Sequence, residues 1–151
     1  MRTKVQELVY RSFLLLDDRD FEGFLGLCAE DFHYTVRVYA PEIRRDMVWL
    51  DHDMAGMKAL FANLPRHFSD LAPLARHATV YTVTLDEAGG QAAVVSALQV
   101  FRTALDGGTT TLFAVGKVHD TVVAPEGRAA LAKRVVTLST RDLGIGSHVP
   151  F

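Results

Sequence analysis

From about Arg76 to Thr140 the chain reads as four long β-strands joined by three short turns, and this half dictates what the other half must do. Strand 76–85 alternates Val80, Thr82 and Thr84 with Tyr81, Val83 and Leu85. Strand 91–105 is apolar on both faces, with Val94, Leu98 and Val100 opposite Val95, Ala97 and Phe101, so it belongs at a sheet centre or a subunit contact. Strands 109–123 and 129–140 follow. Asp106-Gly107-Gly108 is the clearest hairpin signal, and Asp86 to Gly90 and Pro125 to Arg128 supply the other two turns. Strands this long exceed the common length of about 5–6 residues. They twist and curl, and one face then needs helices to cover it.

The first half supplies them. Thr3 and Gln6 have capping-box spacing. Val5, Leu8, Val9, Phe13 and Leu16 then repeat at three and four residues, the stripe of an amphipathic helix. Asp20 is placed to cap a second helix carrying Phe21, Phe24, Leu25 and Cys28 on one face. From Phe32 to Tyr39 the period switches to two, with Phe32, Tyr34, Val36 and Val38 on one side. Ala40 to Leu50 has no clear period, contains Pro41, and reads as an irregular excursion. Asp51-His52-Asp53 precedes a third helix through Met54, Met57, Leu60, Phe61 and Leu64, which Pro65 is expected to end. Residues 66–75 read as a loop, and Asp142 to Phe151 as an irregular arm. This order gives an α+β fold: a strongly curved antiparallel sheet wrapped around N-terminal helices as a cone-like half-barrel. At 151 residues one domain spanning 1–151 is expected.

Several function classes lack their chemistry here. A net charge of −2 gives no bulk attraction for nucleic acid or an anionic membrane. No apolar run approaches a membrane span, and the N-terminus lacks a signal core, so a cytoplasmic protein is expected. The single cysteine, Cys28, cannot form an internal disulfide or hold an iron–sulfur cluster or zinc site alone. His33, His52, His67, His77, His119 and His148 show no metal-ligand spacing. His52 and Asp53 could join a two-histidine, one-carboxylate site, but Asp53 is more simply a helix cap. No glycine loop opens a helix to cradle phosphate, and no serine sits in a nucleophile elbow. Arg128, Lys133, Arg134 and Arg141 form a mild basic cluster, explained by a solvated sheet face. General acid–base chemistry remains open, because a curved sheet could turn Asp31, His33, Tyr34, His77 or Tyr81 into one pocket. Against that, Tyr34 is in phase with core positions and His33 lies on the opposite face.

One resemblance covers most of the chain. Tyr10-Arg11 through Leu15-Leu16-Asp17-Asp18-Arg19-Asp20-Phe21-Glu22, then Ala29-Glu30-Asp31-Phe32-His33-Tyr34, resembles the opening of the small (β) subunits of aromatic-ring-hydroxylating, Rieske non-haem iron dioxygenases. Trp49-Leu50-Asp51-His52-Asp53 is similar to that family's acidic stretch before its third helix, and Arg134-Val135-Val136-Thr137-Leu138 to its closing strand. The resemblance implies the cone fold of NTF2-like and cystatin-like proteins, in the SnoaL-like superfamily. It implies an α3β3 assembly for aromatic compound degradation. There the small subunit trimerises through its sheet, and the large α subunit holds the Rieske [2Fe–2S] cluster and mononuclear iron. It implies no cofactor and no catalytic, cofactor-binding or metal residue in this chain, and a role for Phe101, Arg134 and Arg141 in assembly. The departures are the short stretch 35–50 and the tail from Leu143 to Phe151. The alternative is a stand-alone cavity enzyme of the same fold: an isomerase, dehydratase or cyclase using His33, Tyr34, His77 or Asp31. A third reading is a small-ligand or peptide-binding module on the same cone.

Overall fold

A computed structural model describes residues 1–67, 72–86, 88–124, 127–141 and 150–151. In chain order the elements are α1 (Arg2–Asp17), α2 (Phe21–Gly26), β1 (Cys28–Ala40), β2 (Arg45–Asp53), α3 (Met54–His67), β3 (Leu74–Asp86), β4 (Gln91–Thr103), β5 (Thr110–Val123) and β6 (Ala130–Leu138). The six strands form one curved, unclosed sheet in the order β2-β1-β6-β5-β4-β3. Four neighbouring pairs are antiparallel, while β1 and β6 run parallel. The α+β cone is therefore observed, with one parallel pair closing what reads in sequence as a purely antiparallel sheet. Val5, Leu8, Val9, Phe13 and Leu16 of α1 are buried against Phe32, Tyr34, Val36 and Val38 of β1 and the inward residues of β4–β6, forming one core.

Local chemistry explains most boundaries. The Asp20 carboxylate accepts the Gly23 amide N–H at 2.8 Å, and the Asp53 carboxylate accepts that of Gly56 at 2.8 Å, so both aspartates cap helices. The Thr3–Gln6 box does not form: α1 begins at Arg2, one residue before the intended cap, and Met1 stands at its N-cap without a side-chain bond. Pro65 does not end α3, which runs to His67. Ala40–Leu50 is not irregular throughout. A turn at Pro41–Arg44 leads into β2, and register shifts between Val36 and Arg37 opposite Trp49 erase its period of two. Gly107 takes φ 73° in the β4–β5 hairpin, the backbone region that glycine adopts without strain. Gly116 permits close approach of β5 and β6, because a β-carbon there would meet the Thr137 carbonyl oxygen at 2.5 Å.

Strand β3 carries a bulge between Val80 and Thr82. Arg76, Ala78 and Val80 pair with inward Val100, Leu98 and Ser96, whereas beyond the bulge Val83 and Leu85 take the inward phase. The simple alternation expected for 76–85 is thus reversed halfway along. The free edge of β3 lies beside α1, which covers it with side chains. Asp17 accepts the Arg76 backbone N–H at 3.0 Å, and the Tyr10 hydroxyl accepts that of Val80 at 3.0 Å. Arg2 donates to the Val83 carbonyl. Three helix residues therefore satisfy backbone groups that an edge strand would otherwise offer to another chain.

Candidate functional site

The interior of the cone is where a fold of this shape would hold a ligand, and here it contains charge. Asp120 of β5 and Arg134 of β6 are register partners, both facing inward with fully buried side chains. Arg134 Nε donates to Asp120 Oδ1 at 2.7 Å, and its Nη2 donates to Oδ2 at 2.9 Å, a bidentate pair. The same Nη2 donates to Ser12 Oγ at 2.7 Å, and that hydroxyl donates to the Val9 carbonyl at 2.6 Å. The guanidinium lies 4.4 Å from the Phe13 ring centroid, a cation–π contact. One arginine thus ties β6, β5 and α1 together. Burial works against its charge, but the Asp120 carboxylate outweighs it and holds Arg134 above the ordinary arginine range.

Tyr34 of β1 is the register partner of Arg134 on its other side and is fully buried. Its hydroxyl donates to the Phe151 carbonyl at 3.0 Å and accepts the Phe151 amide N–H at 2.8 Å. Burial raises this phenol well above its usual range, so it stays neutral. Nearer the open end, Arg76 binds Asp17 at 2.8 Å, and its Nη2 donates to the Pro150 carbonyl at 2.5 Å. Desolvation lowers Arg76, with Asp17 opposing the shift. Burial pushes the Cys28 thiol up to about 12.

The cone interior does not bring the proposed acid–base residues together, although two of them, His77 and Tyr81, share a cleft on the outer surface. His33 faces outward and binds Asp51, which that contact holds below the usual carboxylate range. His77 also faces outward, its ring edge-on to Phe101 at 4.9 Å. Tyr81 is exposed at the β3 bulge, and with Tyr10, Asp17, Arg76 and His77 it lines a surface cleft of about 620 Å³. Asp31 is exposed beside a separate cleft near Cys28 and Arg128. Tyr34 alone points into the core, and its hydroxyl is occupied. Among the described residues, no group of three His, Cys, Asp or Glu side chains could hold a metal, and His52 and Asp53 gain no third ligand. The donors among the described residues do not fit a Rieske cluster or a mononuclear iron.

Arg134 is the main correction. It is no part of a solvated basic face, because it shares the inward phase of Val136 and Leu138 and is neutralised by Asp120. Arg141 does lie outside, paired with Glu42. Phe101 is half-buried against His77. Sequence reasoning missed Asp120 and Ser12. The signal was a charged residue in the apolar phase of each of two strands, Asp120 between Val118 and Val122 and Arg134 before Val136.

The SnoaL-like domain profile matches residues 1–135. The chain is 39% identical to the β subunit of the methanesulfonate monooxygenase hydroxylase of Methylosulfonomonas methylovora, over 97% of this chain and 84% of that protein. It is 32% identical to the β subunit of 2-aminobenzenesulfonate 2,3-dioxygenase of an Alcaligenes species, over 97% of this chain and 96% of that protein. In fold it is similar to the β subunit of a putative aromatic-ring-hydroxylating dioxygenase from Novosphingobium aromaticivorans. That match has a TM-score of 0.84 at 18% identity and covers 99% of this chain and 95% of the other. Naphthalene 1,2-dioxygenase gives a TM-score of 0.76 at 16% identity, over 97% of this chain and 83% of the matched one. A SnoaL-like profile across most of the length and two full-span relatives lead to one placement: the chain belongs to the SnoaL-like family, among the β subunits of multicomponent oxygenases.

Proposed function

We propose that this chain is the structural β subunit of a Rieske-type oxygenase, forming one domain over 1–151, trimerising through its sheet and supporting catalytic α subunits in a cytoplasmic α3β3 complex. The observation that carries a structural role is the state of the interior. Its buried carboxylate, Asp120, has both oxygens engaged by Arg134, and the Tyr34 hydroxyl is engaged twice by Phe151. A general acid or base needs a free proton site within reach of substrate, and neither group offers one. In this reading the Rieske [2Fe–2S] cluster and mononuclear iron belong to the α subunit, and no residue of this chain binds cofactor or reacts. The outward face of β4 carries the small and apolar residues Ala93, Val95 and Ala97, with Thr121, His119 and Lys117 of β5 beside them, a mixed surface of the kind a subunit contact can bury. Among the described residues no helix is long and apolar enough to cross a membrane.

The substrates named for the two relatives are a one-carbon sulfonate and an aryl sulfonate, so the group they share is the sulfonate. We infer an organosulfonate as this complex's substrate class. Native mass spectrometry of the protein from its own host, with iron quantified in the same sample, tests the assembly. A hexamer containing a larger iron-bearing chain is expected, and a lone iron-free monomer or dimer would refute it. Oxygen uptake by that complex with methanesulfonate and 2-aminobenzenesulfonate, against their unsulfonated counterparts, tests the substrate class.

A further inference from the structure

Where α1 begins, the β3–β4 and β5–β6 connections converge on an apolar pocket of about 180 Å³, and none of Asp120, Arg134 or Tyr34 lines it. Val5 of α1, Leu85 of β3, Ala92 of β4 and Val122 of β5 form its walls, with Ala124 and Ala129 from the β5–β6 connection. The space exists because small residues stand where larger ones would fill it. Ala92 shares the inward phase of Val94, Leu98 and Val100 and is 4% exposed, yet it is smaller than all three. Gly90, also in the lining, takes φ 66°, and a β-carbon there would meet nothing within 4 Å.

The polar groups of the wall are already used. The Asp86 carboxylate accepts the Gly89 N–H at 3.1 Å, and the Gly90 carbonyl accepts the Ala124 N–H at 3.3 Å. Met1 and Gln91, both exposed, stand at the rim. Among the described lining residues there is no basic side chain, and the one carboxylate, Asp86, repels an anion. Such a lining rewards dispersion contact and burial rather than hydrogen bonding. Its volume falls below the roughly 300–1,000 Å³ of drug-sized sites. An apolar cavity of about 150 Å³ stays dry and takes up benzene, which sets the scale of the occupant.

We propose that this pocket binds a neutral apolar molecule the size of benzene or toluene, which braces α1 against the two connections. The inference stands apart from the oxygenase reading, because every wall comes from one chain whatever that chain assembles with.

The test uses the full chain with toluene and benzoate as probes, one ring without a charge and one with it. Calorimetry reads affinity, and thermal unfolding reads the stabilisation conferred by a ligand selective for the folded state. Toluene is expected to bind at least tenfold more tightly than benzoate and to raise Tm as its concentration rises. Ala92→Leu, which places a larger side chain in the pocket, is expected to weaken toluene binding at least tenfold. No toluene binding to the unaltered chain would overturn the proposal. Equal binding of the two probes would mean non-specific adsorption and would overturn it as well. Undiminished toluene binding by Ala92→Leu would place the ligand elsewhere and overturn the site. Should Ala92→Leu lose cooperative unfolding, Ala129→Leu, at a half-buried position of the same pocket, is judged by the same criteria.

Discussion

Removing the Asp120 carboxylate leaves the Arg134 charge buried with its bidentate partner gone. Asp120→Ala is therefore expected to cost about 3–5 kcal/mol, read as a lower urea midpoint. Replacing both residues with apolar side chains, as in Asp120→Leu with Arg134→Met, is expected to recover most of that loss, because no charge then remains to desolvate. Cys28 makes a prediction about pH. Its thiol is raised from 9.0 to about 12, so the folded chain keeps a proton that the unfolded chain releases. Its contribution to stability is complete below pH 9 and is lost as pH rises from 9 towards 12. Tyr34, raised above its ordinary 10.0, acts in the same direction. Urea titrations across this range are expected to show a falling midpoint, and Cys28→Ala a shallower fall. At this scale the sequence was partly legible. Tyr34 is read correctly as core because it is in phase with Phe32 and Val36, and Asp20 and Asp53 as caps because capping is local. Arg134 is misread because its meaning depends on Asp120, fourteen positions earlier and one strand over.

Elements were legible wherever their period was unbroken. All four late strands form within a few residues of their expected limits, and the hairpin glycines turn them. Bulges defeated the pattern twice, hiding β2 and reversing the phase of β3 at Tyr81, since one extra residue flips every later side chain. Backbone proximity yields a sharper prediction than periodicity does. Gly116→Ala would push a methyl against the β6 backbone and is expected to cost about 1–3 kcal/mol in chemical denaturation. The α1 cover over β3 predicts a different phenotype. Tyr10→Phe leaves the Val80 N–H exposed at a sheet edge, with a stability loss of about 1 kcal/mol or less. Its stronger expected effect is concentration-dependent association, measured by light scattering against the unaltered chain.

For the whole molecule, a support and a catalyst respond differently to substitution. His33→Ala is expected to leave turnover by the intact complex unchanged, because His33 lies on the outer sheet face with Asp51. Val95→Asp, which places a carboxylate on the outward face of β4 between Ala93 and Ala97, is expected to lower the hexamer fraction in native mass spectrometry while the isolated chain still folds. The cone itself was legible from strand length and helix pattern. Its filling was not, because the docking of Phe151 on Tyr34 joins residues 117 apart. The parallel contact of β1 with β6 has a similar reach, bringing together Arg37 and Thr137, which are 100 residues apart. During synthesis, β1 therefore leaves the ribosome long before β6, one of the two strands that flank it, exists. Until β6 arrives, one row of β1 backbone groups must wait unpaired. Such a nascent chain is a natural client for a holding chaperone, and folding of the finished chain is expected to be limited by this single late closure.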